Sequence, residues 1–327
     1  MNTRARAPLL RFALARAGGV VVTLNLLIAL AWLLAFYAPV KGQGYHPPVY
    51  LSLSRQLGII GHLMLELWTL NVRGIGLVEV TTRSAFLEAA ATSTALAVGS
   101  IAIAAAVGVP LGVWAALHRR HWLAHLSVGF SVLVGQLPPF AVGVLLLLVF
   151  SVWWRLLPPL GWGHPINWVL PLITLATVNI GYVTKFAQTG MNHVLREGYL
   201  AGAAARGMQG WRLLLRHALR PALVTLLLFF GPQTVTTIFG VILVEDVLQV
   251  PGMASMLGLG MGNLTFSKQS GIVAVPGTQE VGPFFNGGQA NPAELVVASI
   301  FIVGALVLLL NFVIDLVYHA LEPRSLW

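Results

Sequence analysis

The residues able to carry chemistry in this sequence do not form any of the common catalytic patterns. There is no GxxxxGK(S/T) phosphate-binding loop, no HExxH zinc pair and no GxSxG nucleophile turn. There is no cysteine, which excludes thiol catalysis, disulfides and cysteine-ligated metals. His118, His121 and His125 cluster, but a short basic loop explains them better than a metal site. The sequence therefore predicts no catalytic, cofactor or metal site in this chain, and any ATP would have to be used by a partner.

A polar stripe interrupts one of the apolar runs. Gln233, Thr236, Thr237 and Gly240 are spaced i, i+3, i+4 and i+7, so one face of a helix at this position is polar. Two interpretations stay open. The stripe lines a translocation path, to which Asn179 of the preceding apolar run is a further candidate, or it forms polar contacts between helices.

An acidic pair, Glu245 and Asp246, follows the same run and precedes Pro251 and Gly252. Such a pair, with a turn beside it, can close an external gate or contact an external binding protein. The alternative is a pair of solvated charges at a membrane interface.

The composition predicts an all-α integral membrane protein. Of the 327 residues, 57% are hydrophobic and only 9% are charged, whereas soluble domains carry about 25% charged residues. The net charge of +9 is distributed in short loops beside apolar runs. This distribution indicates contact with a lipid bilayer and argues against a nucleic-acid partner.

Six apolar runs are long enough to cross a bilayer core of about 30 Å. They are predicted at about 18–38, 91–117, 126–152, 168–190, 221–244 and 294–317. The first run could be a cleaved signal peptide, but its length and Pro39 directly after it favour an uncleaved helix. Pro138 and Pro139 predict that the third span is bent or broken.

The long connections divide the chain into two parts. Residues 1–90 comprise a basic tail, the first span and a charge-balanced external region with interfacial helices, in which Trp68 is expected at headgroup level. Residues 91–327 form a five-helix core with an external, Gly- and Pro-rich loop at about 263–293. About two thirds of the 19 lysines and arginines then lie on one side, which the positive-inside rule makes cytoplasmic together with both termini.

The interval 196–221, here called the elbow, is the longest basic interruption between two spans. Alanines favour a short helix, Gly207 suits a left-handed turn, and a second helix places Trp211 and leucines opposite a basic face. From the residues alone, the elbow either rests on anionic headgroups or docks a soluble partner.

Glu197, Tyr199, the small residues at 201–205, Gly207 and RHALRPAL at 216–223 resemble the EAA-type motif of bacterial ABC-importer permeases. QLPPF at 136–140, EDVLQVPGM at 245–253 and the C-terminal segment resemble the peptide/nickel class of that family. The sequence departs from the commoner pattern at Gly198, Ala201 and Ala204, where charged residues are usual.

The resemblance implies a type I permease-like subunit of six helices, with a long external loop after helix 1 and a cytoplasmic coupling helix between helices 4 and 5. That helix would dock on an ATPase through Glu197, Tyr199, Ala203, Ala204, Arg206, Gly207 and Arg212. The implied partners are a second homologous permease, two ATPase subunits that use ATP and Mg, and an external solute-binding protein. The subunit itself would not be an enzyme.

The implied function is import of peptides or similar small solutes across the bacterial inner membrane by alternating access. Alternatives are a non-peptide solute such as a metal chelate, sugar or polyamine, or export. An ATP-independent channel or carrier is a further alternative; it predicts ionisable residues in mid-span and inverted repeats, and neither is clear in the sequence.

Overall fold

The computed structural model describes residues 6–37, 53–69, 80–159, 162–198, 200, 202, 210, 213–260, 265–267, 271–273 and 292–321. These ranges are predominantly helical. The first half contains α1 (Arg6–Tyr37), α2 (Leu53–Trp68), α3 (Val80–Leu117), α4 (Trp122–Gly135) and α5 (Pro139–Leu147), which continues as a π-helical turn, Leu148–Trp153. The second half contains a 3-10 turn (Pro165–Trp168), α6 (Val169–Val194), a π-helical segment (Leu214–Leu219), α7 (Arg220–Leu248), α8 (Met253–Gly260), β1 (Thr265–Ser267), β2 (Gly271–Val273) and α9 (Pro292–Leu321).

Within the ranges that the structure describes, four helices are long and apolar enough to cross a membrane. Their apolar segments are Phe12–Leu33, Leu87–Leu117, Pro165–Val194 and Val296–His319. The bent pair Trp122–Gly135 and Pro139–Trp153 makes a fifth if it counts as one span. Five of the predicted spans thus correspond to apolar helices. The span predicted at 221–244 coincides with α7, which is not among these helices, so the count of six stays a prediction.

Two helices begin earlier than predicted. α1 starts at Arg6, so the basic tail is helical from there, because alanine, leucine and arginine favour helix and Pro8 stands in the first turn, where proline is tolerated. α3 starts at Val80 and passes through position 90, the predicted boundary between the two parts. No glycine or proline interrupts the chain between Val80 and the apolar run.

The predicted bend at Pro138 and Pro139 is confirmed. α4 ends at Gly135, α5 begins at Pro139, and the two axes differ by 102°. Proline lacks an N–H group and blocks the preceding helical turn, so a continuous helix cannot form here. On either side of the break the chain bonds locally: the Leu137 N–H donates to the Val134 carbonyl, and the Pro138 carbonyl accepts from the N–H groups of Ala141 and Val142.

The predicted connecting regions are only partly described. The predicted amphipathic piece after the first span forms α2, and its Trp68 Nε1 donates to Asn25 Oδ1 of α1 at 3.2 Å. The headgroup-level position of Trp68 stays a prediction. In the predicted external loop, β1 and β2 pair as a short antiparallel hairpin, with Phe266 opposite Ile272. The other residues of 263–291 lie outside the described part.

The two largest hydrophobic clusters of the described residues hold most of the helices together. The first cluster joins α1, α2, α8, α9 and the start of α3 through Leu24, Ile28, Ala31, Trp32, Ile60, Leu67, Ala89, Met253, Met256, Val297, Ala298 and Phe301. The second cluster joins α3, α6 and the latter part of α7 through Leu96, Ala97, Leu170, Leu175, Ile238, Val241, Val244, Leu248 and Val250. Helix α3 therefore contributes to both.

The contact between α3 and α6 requires small residues. A Cβ on Gly112 would lie 2.5 Å from the Thr184 carbonyl oxygen, and a Cβ on Gly108 would lie 2.9 Å from the Val183 side chain. Only glycine permits this approach, as the small-xxx-small spacing predicts. α3 and α6 thus pack backbone to backbone, and they support the polar groups described next.

Candidate functional site

A polar network lies where α3, α6 and α7 meet. Asn179 of α6 is buried, with 4% of its surface exposed. Its Oδ1 atom accepts from Gln233 Nε2 at 3.1 Å and from Thr237 Oγ1 at 3.0 Å, both on α7. Its Nδ2 group donates to Ser100 Oγ of α3 at 3.4 Å. We call these four residues the Asn179 network.

The predicted polar stripe divides when the helix forms. Gln233 and Thr237, one turn apart, turn toward Asn179, whereas Thr236 is exposed and donates to the Pro232 carbonyl of its own helix at 3.4 Å. Gly240 is buried, and a Cβ there would approach Pro139 Cγ of α5 to 3.1 Å. Of the residues predicted to line the path, Asn179, Gln233 and Thr237 therefore come together, and Thr236 does not join them.

Both interpretations of the stripe have a structural counterpart. The bonds of Asn179 and Thr237 are interhelical contacts, as expected for polar residues that join membrane helices. Gln233 is only partly buried, and the α7 surface beside it, formed by Pro232, Val235 and Thr236, is exposed. Ser100 was not predicted. The signal that could have found it is its own hydroxyl group, which lies within the apolar segment of α3.

Exposed apolar side chains continue along this surface of α7. Val235, Phe239 and Leu243 are spaced one turn apart and expose 37%, 62% and 46% of their surface. Such a stripe needs either lipid or another protein surface to cover it.

The predicted acidic pair is separated by the structure. Asp246 is exposed at the end of α7, whereas Glu245 is buried, with only 1% of its surface exposed. Ser93 Oγ of α3 donates to Glu245 Oε1 at 2.5 Å, and the Ala254 N–H donates to Oε2 at 3.0 Å. Glu245 is therefore not a solvated charge within this chain.

The turn after α7 fits closely around this carboxylate. Gln249 ends α7 with a left-handed backbone, φ +54°, and its side-chain amide donates to the Asp246 carbonyl at 2.7 Å. Pro251 follows, and Gly252 lies so close to Glu245 that any Cβ would overlap the carboxyl group. Position 252 therefore requires glycine for space, which the sequence alone did not reveal.

Only the approaches to the elbow are described. Glu197 is exposed, and its Oε1 lies 3.6 Å from His193 Nδ1 one turn earlier. Leu200 packs with Met191 and Ala218 in a small cluster completed by Ala116, Val194 and Ala222. The other predicted docking residues lie outside the described residues: Tyr199, Ala203, Ala204, Arg206, Gly207 and Arg212. The elbow is thus anchored at both ends to α3, α6 and α7.

The histidine loop has local structural contacts. His118 Nδ1 lies 3.0 Å from the Trp114 carbonyl, and His121 Nδ1 accepts from the Leu123 N–H at the start of α4. Within the part of the chain that the structure describes, no three His, Cys, Asp or Glu side chains are grouped so as to hold a metal ion.

Residues 108–326 match the family model described as binding-protein-dependent transport system inner membrane component. The chain is similar to the oligopeptide transport system permease protein OppB of Haemophilus influenzae, with 28% identity over 242 residues, covering 73% of this chain and 70% of that protein. It is 27% identical to OppB of Salmonella typhimurium, over 71% of this chain and 68% of that protein. It is 26% identical to the dipeptide transport system permease protein DppB of Escherichia coli, over 70% of this chain and 69% of that protein.

Proposed function

The chain belongs to the family of inner membrane components of binding-protein-dependent transport systems, and we propose that it is the membrane-spanning subunit of an ATP-driven importer of peptides or similar small solutes. The observation that carries the proposal is the similarity to oligopeptide and dipeptide permeases over about 70% of both chains. Fold alone would not name a solute, so the peptide assignment depends on these relatives.

The Asn179 network is the proposed part of the solute path. It places two amides and two hydroxyls inside a core otherwise built from aliphatic side chains. Uncharged donors and acceptors suit the backbone amides of a peptide without holding it too strongly to release. Gln233 is the proposed contact with the solute, because it is the least buried member and can exchange its bond to Asn179 for one to a substrate. Thr236 belongs to the same path if the second subunit closes over it.

Partner subunits supply the energy in this proposal. The sequence has no phosphate-binding loop, so ATP and Mg belong to two ATPase subunits that grip the elbow. The packing of Leu200, Met191 and Ala218 supports this role, since a displacement of the elbow would act directly on the ends of α3, α6 and α7. The Gly207 turn and the small residues Ala203 and Ala204 would permit close docking, with Glu197, Tyr199, Arg206 and Arg212 around them.

A second, homologous permease subunit covers the exposed stripe of Val235, Phe239 and Leu243 in this proposal. The stripe adjoins Thr236 and Gln233, so a pore between two subunits would include the polar face of α7. An external solute-binding protein would deliver the solute near Asp246 and Pro251, which stand at the end of α7. Glu245 and Gly252 complete this external gate from within.

The proposed topology has six spans, a long external region after the first, and both termini in the cytoplasm. Five apolar helices and the cationic residues of the N-terminal region and the elbow support it. ATP-driven closure of the ATPases would move the elbow and open the path outward; hydrolysis would return it inward.

The test is ATP hydrolysis by the complete complex reconstituted in bilayers with its binding protein. Di- and oligopeptides should stimulate ATP hydrolysis. Peptide should move from the side of the binding protein to the side of the ATPases. Accumulation of peptide inside vesicles whose ATPases face outward would instead indicate export. Stimulation by metal chelates, sugars or polyamines and not by peptides would show that the solute belongs to that other class. Solute flux without ATP would indicate a channel or carrier.

A further inference from the structure

Helix α8 belongs to one packing unit but is hydrogen-bonded to the other. Its apolar side chains Met253 and Met256 are buried in the first cluster, beside α1, α2 and α9. Its N-terminal backbone, in contrast, is bonded to the end of α7, whose apolar residues lie in the second cluster. The start of α8 is therefore the place where the two clusters are joined by polar bonds.

The bonds at this junction form a closed chain of donors and acceptors. The Met253 N–H donates to Ser93 Oγ at 2.9 Å, which directs the serine hydroxyl toward Glu245 Oε1. The Ala254 N–H donates directly to Glu245 Oε2. Two of the first free N–H groups of α8 are thus satisfied from other helices, that of Ala254 by the Glu245 carboxyl group and that of Met253 by the Ser93 hydroxyl. We call Ser93, Glu245, Gly252, Met253 and Ala254 the Glu245 cap.

We infer that Glu245 is a positioning residue that makes α8 move with α7, so that rearrangement of α7 during transport is passed through α8 to α1 and α9. Asp246, one position later, is exposed and has no part in the cap. Gly252 is required because its Cα occupies the space beside the carboxyl group. Ser93 relays the bond from Met253, which gives α3 a place in the same junction.

The first experiment measures whether the cap holds α8 in place. The chain has no cysteine, so Met256→Cys introduces a single thiol at a buried position of α8. In the otherwise unchanged full complex this thiol should resist N-ethylmaleimide, while Asp246→Cys should react. Adding Glu245→Leu should raise the labelling rate of the Met256→Cys thiol about tenfold, since losing both hydrogen bonds to the Glu245 carboxyl group favours local opening by roughly that factor. Asp246→Asn, the matched control, should leave it unchanged.

Further variants separate the cap from general damage. Gly252→Ala should expose the thiol as Glu245→Leu does, and Gly129→Ala, at a helical glycine with open space around it, should not. Ser93→Ala should give a smaller increase, and Ser299→Ala none, because Ser299 is buried without a hydrogen-bond partner among the described residues. If Glu245→Leu prevents assembly, Glu245→Gln replaces it; the amide can still accept from Ala254 and donate to Ser93, so about a threefold increase is expected.

The second experiment rests on the proposed function and measures coupling. In the assembled transporter, Glu245→Gln and Ser93→Ala should raise ATP hydrolysis without solute, and lower the solute moved per ATP, at unchanged subunit content. Unchanged labelling of the Met256→Cys thiol in every cap variant would overturn the inference. Altered labelling with unchanged coupling would show that the Glu245 cap holds α8 in place but would refute the claim that movement is passed to α1 and α9. A complex that peptides never stimulate would count against the proposed solute alone, since labelling needs no transport.

Discussion

Thr237 of α7 donates its hydroxyl to Asn179 of α6 at 3.0 Å, and Asn179 in turn reaches Ser100 of α3. One buried amide thus connects three helices. The same Asn179 oxygen accepts from Gln233, so its removal would end three interhelical hydrogen bonds at once, although the Thr237 hydroxyl can still donate to the Gln233 carbonyl at 2.9 Å. This dependence makes Asn179 the member whose substitution affects stability most.

Asn179→Leu should destabilise the folded subunit by about 1–3 kcal/mol, because three interhelical hydrogen bonds are lost and each is usually worth about 0.5–1.5 kcal/mol. The measurement is thermal unfolding of the complex in detergent. Asn192→Leu, on the same helix but outside the network, is the control and should change the midpoint little. Equal midpoints for the two variants would show that the network does not contribute to stability.

Gln233→Leu and Thr237→Val should lower peptide uptake about three- to tenfold without reducing assembly, if the polar face of α7 contacts the solute. Thr177→Val is the matched control, because Thr177 is an outward-facing threonine that bonds only to the Ile173 carbonyl of its own helix. Uptake measured per assembled complex is the relevant quantity. Unchanged uptake in the Gln233 variant would leave interhelical contact as the role of this stripe.

Gly207→Val should separate the permease from its ATPases. A β-branched residue is strained in the left-handed conformation proposed for this turn, and its bulk would block close docking. Co-purification of the ATPase subunits is the measurement. Gly129→Val, on α4 outside the elbow and with open space around it, is the control. Full retention of the ATPases by the Gly207 variant would refute the elbow assignment.

Gly112→Val should be among the most disruptive single substitutions in the core. The added atoms would meet the Thr184 carbonyl and the Ala187 side chain, so α3 and α6 would have to move apart, at a cost of about 1–3 kcal/mol or more. Gly129→Val, where space is open, should be tolerated. Expression level and unfolding temperature measure the difference; similar values for both would contradict the tight packing of α3 on α6.

The ion pair between Arg16 of α1 and Asp315 of α9 should contribute little. Its atoms are 2.6 Å apart, but the two side chains remain 53% and 31% exposed. Exposed pairs are usually worth about 0.2–1 kcal/mol and weaken with salt. A double-mutant cycle with Arg16→Gln and Asp315→Asn should give a coupling free energy in that range. A much larger value would mean that the first and last helices depend on this contact.

Local patterns in the sequence were sufficient for several features. Hydropathy located the apolar helices, Pro138 and Pro139 located the bend, and periodicity placed Gln233 and Thr237 on one face. Each depends on residues close in the chain. The starts of α1 and α3 were missed because both helices continue beyond their apolar segments into more polar residues, where hydropathy gives no signal, and in α3 the first residues, VTTRS, have no strong helix propensity.

The Glu245 cap could not be predicted in the same way. Ser93 and Glu245 are 152 positions apart, and neither has a local pattern that names the other. A charged residue beside a turn is ordinarily solvated, so its burial depends on the tertiary contact of α3, α7 and α8. The requirement for glycine at position 252 has the same origin, since the space it leaves is taken by a side chain from another helix.

The bend between α4 and α5 has a consequence for how the protein enters the membrane. α4 has 14 residues and is about 21 Å long, which is shorter than the bilayer core of about 30 Å. Neither α4 nor the segment Pro139–Trp153 is long enough to cross that core alone. Because α4 and α5 both pack on α6, we expect the bent pair to enter the bilayer together with α6 and not helix by helix.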